Sequence, residues 1–190
     1  MKQNDVNMVK VIGIVKKIYH IIPGSRCLIS VRIGYNVPEF FCVDEAAKYV
    51  AENLNVNDRV AVFANIQSSY LEKAHKNVST LFVNRIIKLS GVRHFEQPTN
   101  EFYIRGEVKN VKFLDRSNIL RVLVKTETFG HVSTVPLSFY NPSPELLNLK
   151  AGDIIQKSGM IQTMRKVVDG KPVYYQNFVA KEPIRKRKIA

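Results

Sequence analysis

A chain of 190 residues, 45% hydrophobic and 24% charged, has the composition of a globular protein of one or two domains. No run approaches the roughly 20 apolar residues that span a bilayer, and the start, Met1-Lys2-Gln3-Asn4-Asp5, lacks the apolar core of a signal peptide. With 29 Lys and Arg against 16 Asp and Glu the formal net charge is +13, a self-repelling excess that points to a polyanionic partner, nucleic acid ahead of an anionic membrane surface.

The first predicted strand covers residues 8–19, with Val9, Val11, Gly13 and Val15 on one face. A glycine in mid-strand predicts a bulge or sharp bend of the kind small barrels need at a corner. Pro23-Gly24-Ser25 is a turn, and a second strand follows over 27–33 with Ile29, Val31 and Ile33 on one face. Residues 34–38 read as a loop and 39–43 as a third strand. Asp44 is placed to cap a helix over 44–52. A fourth strand over 60–66, a polar hairpin loop over 67–79 and a fifth strand over 80–89 complete the first half.

The same order then recurs, with strands over 102–113, 119–126 and 131–137. A reduced helix near Ser143-Pro144-Glu145-Leu146-Leu147 precedes strands over 154–161 and 173–180. Asp169-Gly170 is a hairpin turn pair. The recurrence is visible in the residues themselves. Leu54-Asn55-Val56-Asn57-Asp58-Arg59-Val60 leads into Ile66-Gln67, and Leu149-Lys150-Ala151-Gly152-Asp153-Ile154-Ile155 leads into Ile161-Gln162. Gly13 and Gly106 hold matching places in the first strand of each half. A period of roughly ninety residues is too long for a solenoid unit and reads as two copies of one small domain. Both copies are basic: split at residue 95, the first half has 13 basic and 7 acidic residues and the second 16 and 9.

Three strands, a helix and two strands are the order of a five-stranded Greek-key barrel, the OB-fold. The mid-strand glycine and the Leu-x-x-x-Asp element entering strand four carry the resemblance. The chain resembles tandem OB-fold proteins, and is similar in layout to bacterial and mobile-element single-stranded DNA-binding proteins and the related primosomal replication protein. The expected fold class is all-β with minor helix, in two tandem barrels. The expected divisions are a first OB-fold over 8–90, a linker over 91–100, a second OB-fold over 101–182 and a basic tail over 183–190. The cellular single-stranded DNA-binding proteins end in an acidic tail. The basic Arg185-Lys186-Arg187-Lys188 instead favours a primosomal, phage, plasmid or integrative-element role.

An OB-fold binds along strands two and three and their flanking loops, and single strands call for cations along the phosphates and flat side chains under the bases. In the first copy the candidates are Tyr19, Arg26, Arg32, Tyr35, Phe40, Tyr70, Lys73 and Lys76. In the second they are Phe113, Arg116, Arg121, Lys125, Phe129, Arg165, Lys166, Lys171 and Tyr174. Because Phe40 and Phe41 are adjacent, alternation puts one of them outside, and the same holds for Tyr174 and Tyr175. Any one of these aromatics also fits core packing, so their clustering carries the reading. Stacking and phosphate neutralisation do not read sequence, so contact without sequence preference is expected, and RNA fits the same chemistry.

Ile12, Ile14 and Ile18 form an apolar outer face on strand one. They predict contact with the other copy or self-association, or else a barrel bent so that both faces are half-buried. Replication proteins are further candidate partners. No membrane partner, metal or cofactor is expected. Cys27 and Cys42 lack a CxxC spacing and read as buried small hydrophobes in a reducing, cytoplasmic setting. There is no Walker A loop, GxGxxG or HExxH; the four histidines are scattered and the acidic residues unpaired, so the expectation is a non-catalytic protein. An interaction module serving a replisome or primosome is the alternative.

Overall fold

The β-branched alternation of the first segment forms β1 (Val6–Ile22), longer than its sequence signal. The computed structural model describes residues 4–71, 76–89, 97–128, 130–168 and 171–181. After β1 come β2 (Arg26–Arg32), β3 (Glu39–Val43), α1 (Asp44–Asn53), β4 (Arg59–Leu71) and β5 (Lys76–Lys88). The second half holds β6 (Thr99–Leu114), β7 (Ile119–Thr128), β8 (His131–Tyr140), α2 (Pro144–Leu147), β9 (Ile154–Val168) and β10 (Lys171–Ala180).

The first half closes on itself. β1 pairs antiparallel with β2 and β4, β2 with β3, and β5 with β4, while β3 runs parallel to β5. The circuit is a five-stranded barrel. Strands β6 to β10 pair in the same order, with β8 parallel to β10 in the place of β3 and β5. The halves meet where β1 and β6 pair antiparallel, from Val6 opposite Arg105 to Ile12 opposite Thr99.

Alternation sends one face of each strand inward. Val9, Val11 and Val15 meet Ile29, Val31, Phe40 and Cys42 in the first half; Phe102, Ile104 and Val108 meet Leu120, Val122 and Val124 in the second. Removing such a side chain from water stabilises by about 1.5–3 kcal/mol, so these rows fix the register of every strand. Helix α1 covers the first barrel with Ala47 and Val50.

The mid-strand glycines mark where each first strand changes partner. On the edge away from β4, β1 pairs with β6 as far as Ile12 and with β2 from Ile14, and Gly13 stands between; Gly106 likewise stands between Arg105, paired with β1, and Glu107, paired with β7. A Cβ on Gly13 would lie 2.5 Å from the Arg32 carbonyl oxygen, and one on Gly106 2.1 Å from that of Lys125. Closure therefore brings two backbones nearer than any side chain permits.

The repeated Leu-x-x-x-Asp element is a turn. The Asp58 carboxylate accepts from the Asn55 N–H at 2.7 Å, and that of Asp153 from the Lys150 N–H at 2.9 Å. Each turn is laced to the first strand of its half. Val15 N–H donates to the Asp58 carbonyl and Asn57 N–H to that of Val15; Val108, Asp153 and Gly152 repeat the pattern. Asn57 and Gly152 hold positive φ, of 75° and 94°, which limits this position to residues at ease in the left-handed region.

A second repeated device lies at Asn7 and Asn100. The register that sets Val9 opposite Ala64 places Asn7 opposite Ile66, past the last pair of the β1–β4 ladder, while the other edge of β1 stays paired with β6. The Asn7 amide bridges the gap: its Oδ1 accepts from Ile66 N–H at 2.9 Å and its Nδ2 donates to the Ile66 carbonyl at 2.7 Å. Asn100 does the same for Ile161, at 3.0 and 2.8 Å.

Three expectations are corrected. Val43, not Asp44, is the N-cap of α1 and offers no side-chain hydrogen bond; Asp44 lies inside the first turn at φ 47°. Most of the polar segments read as loops after strands four and nine are strand, because a paired two-stranded arm satisfies its backbone without an apolar face. Lastly, Ile12 is buried, flanked by Ala61 of β4 and Thr99 of β6 beside a hollow walled by Gln97 and Pro98, and Ile18 packs against the core. Ile14 is half-buried, so this face is not open for self-association through Ile12. Asp169-Gly170 and the basic tail lie outside the described residues. No helix among the described residues is long and apolar enough to cross a membrane.

Candidate nucleic-acid interface

Register partners share a face, so the outside of the first barrel can be read across its strands. Tyr19 of β1 faces Leu28 of β2; Leu28 faces Phe41 of β3; Phe41 faces Phe82 of β5; and Phe82 faces Asn65 of β4. Tyr19 is exposed, and Leu28, Phe41 and Phe82 are half-buried. The two Phe rings meet edge to face with centroids 5.2 Å apart. The result is an apolar row across the sheet. On one side stands the row of Ile22, Arg26 and Val43, and on the other Lys17, Ser30 and Glu39, with Arg32 beyond. Arg26, Lys17 and Arg32 are exposed.

The matching row of the second half runs Lys112, Arg121, Ser138, Val179 and Met160. Lys112 and Arg121 are exposed, and neither is in an ion pair among the described residues. The buried Ser138 hydroxyl meets Asn177 Oδ1 at 2.8 Å, and Asn177 Nδ2 donates to the Tyr140 hydroxyl at 3.2 Å. Lys125 lies on the same outward face of β7, two register positions beyond Leu123, opposite Glu107. Glu107's carboxyl is held below its ordinary range by the hydrogen bond from Lys109 at 2.6 Å, and also by the charges of Lys109 and Lys125.

The halves are also tied at one seam. The turn Ile33-Gly34-Tyr35-Asn36 is closed by reciprocal backbone bonds between Ile33 and Asn36, which leaves Tyr35 fully exposed. Asn36 Oδ1 accepts from Thr163 N–H, Val37 N–H donates to Thr163 Oγ1, and Gln176 Nε2 donates to the Glu39 carbonyl, at 3.1, 3.0 and 3.0 Å. Thr163 and Gln176 are register partners on β9 and β10. The next outward pair on that face is Arg165 and Tyr174, both exposed.

The structure thus brings Tyr19, Arg26 and Arg32 to one face, Arg121 and Lys125 to another, and sets Tyr35 beside the arm that carries Arg165 and Tyr174. Phe113, 39% exposed, is the penultimate residue of β6, and Arg116 follows in the turn Asp115–Ser117. Phe40 leaves the site: it is fully buried, and the aromatic that alternation puts outside is Phe41. Lys73 and Phe129, and the side chains of Tyr70, Lys76, Lys166 and Lys171, lie outside the described residues. Sequence reasoning missed Leu28, Phe82, Lys17 and Lys112. The inward phase of Cys27 and Ile29 already fixed Leu28 as outward, but only the sheet order lines it up with Tyr19, Phe41 and Phe82.

No family model and no curated protein matches the sequence. Solved structures do. The wild-type single-stranded DNA binding protein from Thermus aquaticus aligns over 99% of this chain and 98% of its own, with a TM-score of 0.69 and 12% identity. A deletion mutant of that protein aligns over 94% and 93%, with a TM-score of 0.68 and 12% identity. At this identity the likeness is one of fold, and it extends over the whole chain.

Proposed function

We propose that the protein is a non-catalytic, sequence-tolerant binder of single-stranded DNA that acts in replication or recombination. Its working parts are two OB units, over 8–90 and 101–182, with a linker at 91–100 and a basic tail at 183–190. The observation that carries the reading is the outward row of Tyr19, Leu28, Phe41 and Phe82 with Arg26 on one side and Lys17 and Arg32 on the other. Bases stack on the row and the cations follow the phosphates. The net charge of +13 and the fold shared with a single-stranded DNA binding protein support it. One OB unit covers roughly 4–16 nucleotides, so two in series cover on the order of twice that.

Fluorescence anisotropy with labelled oligo-dT, matched duplex and matched RNA tests the proposal. Tight binding to the single strand that weakens with salt is expected, and equal binding to duplex overturns it. A second reading is favoured by Val6, Met8 and Tyr103, which are 37–43% exposed on the strands that join the halves. An interaction module would bury them against a replication protein. Capture of such a partner without nucleic-acid affinity at low salt would support that reading.

A further inference from the structure

We infer that the two halves divide the chemistry of the strand between them: the first face holds bases at its centre, and the second holds phosphates. This rests on the single-strand reading above and adds to it an assignment of roles.

The inference follows from matching the two faces position by position. Equivalent places in the strand circuit hold Tyr19 and Lys112, Leu28 and Arg121, Phe41 and Ser138, Phe82 and Val179, and Asn65 and Met160. Every aromatic of the first row is replaced, and two long cations stand where Tyr19 and Leu28 stood. A Phe pair with a neighbouring Tyr and Leu makes a flat apolar floor that an unstacked base covers well and a phosphate does not. Lys112 and Arg121 are register partners, so their charges converge on one stretch of backbone. Ser138 beside them is buried and bonded to Asn177, and offers no flat apolar surface to a base. Cations flank the first row as well, through Arg26 and Lys17, so the division concerns the centre of each face.

The two contacts differ in salt dependence. Phosphate neutralisation releases counterions, with a slope in log affinity of about −0.7 per contact on a single strand, whereas stacking releases none. The test uses the full chain in two double variants, Tyr19→Ala with Phe41→Leu and Lys112→Gln with Arg121→Gln. Affinity is measured for oligo-dT and for an abasic oligonucleotide of equal length over a range of salt. The charge variant should show a slope shallower by about 1.4, twice the single-contact value, and should weaken abasic binding as much as dT binding. The aromatic variant should bind dT on the order of tenfold more weakly at every salt concentration, with its slope and abasic binding unchanged. If both variants flatten the slope equally, or the aromatic variant loses abasic binding as fully as dT binding, the division is wrong while single-strand binding stands. Wild-type protein that does not prefer single strands overturns both. Tyr19, Lys112 and Arg121 are exposed and Phe41→Leu keeps most of the volume, so the variants should melt with the wild type; Tyr19→Ala alone serves if Phe41→Leu does not.

Discussion

Replacing Asn7 by Leu should cost more than any surface substitution on the chain. Asn7 is 8% exposed, and its amide is the partner of both main-chain groups of the fully buried Ile66. Leucine fills the space and removes both bonds, together with the longer one that Asn7 Nδ2 donates to the buried Thr126 hydroxyl at 3.3 Å. A buried donor or acceptor left without a partner costs about 1–3 kcal/mol, so two cost about 2–6, and new apolar contact offsets part of that. The expected loss is about 2–5 kcal/mol, read as a lower urea midpoint at constant m-value. Asn100→Leu should lose about 1–2 kcal/mol, because Asn100 is half-buried and water can reach part of its surroundings. Asn7→Asp separates the donor from the acceptor. Ionised, the carboxylate still accepts from Ile66 N–H but repels the Ile66 carbonyl; protonated, it donates there and restores both bonds. Folding therefore raises the pKa of this carboxyl above its unfolded value. Its stabilising contribution is present in acid and fades as pH rises through the folded pKa, so the deficit of Asn7→Asp against wild type should shrink as pH falls. An Asn7→Leu unfolding free energy within about 0.5 kcal/mol of wild type would refute the bridging role.

Gly106→Ala should destabilise by about 3 kcal/mol, since its Cβ would sit 2.1 Å from the Lys125 carbonyl oxygen and the strands that close the circuit would have to part; an unchanged melting temperature would count against this. Asp58 is held below its ordinary pKa by the hydrogen bond from Lys88 at 2.7 Å, then by that from Asn55. Its stabilisation is present above the unfolded carboxylate pKa and lost as pH falls through the depressed folded one. Asp58→Asn should therefore be less stable than wild type at neutral pH and indistinguishable from it in strong acid. Cys27 and Cys42 are free, buried register partners, and the Cys42 thiol is pushed up by its hydrogen bond with Cys27 and by burial. Thiol reagents should modify them only as fast as the barrel opens, and rapid labelling of both in the folded protein would contradict their placement.

The features legible in the sequence were those that punctuate the chain. Gly13 announced a corner because few residues can stand there, and the Leu-x-x-x-Asp element stood out because its turn recurs with the same spacing. The inward phases of β1 and β2 followed from periodicity, and helix α1 from its helix-forming residues and the acids of its first turn. Phe40 against Phe41 was not decidable by alternation alone, because a five-residue strand between a loop and a helix offers too little pattern to set its phase. Asn7 and Asn100 carried no signal, since asparagine is unfavourable in strands and its value here comes from a partner about sixty residues away. The apolar row was invisible for a related reason: its members come from β1, β2, β3 and β5, and only the sheet order sets them side by side.

The pairing of β1 with β6 places Val9 opposite Phe102, and these two residues hold the same place in their respective halves. Around that point the contact has the form of an isologous dimer interface contained in one polypeptide. In a true dimer of identical chains every substitution appears twice, so a face can gain a cation only where its mate gains one also. A covalent pair is released from that rule. One half can exchange a tyrosine for a lysine while the other keeps it, and the dyad that joins them is undisturbed because its central contacts lie elsewhere. Linkage in a single chain thus turns a symmetric scaffold into a polar one, with two distinguishable ends and a defined direction along anything that crosses both.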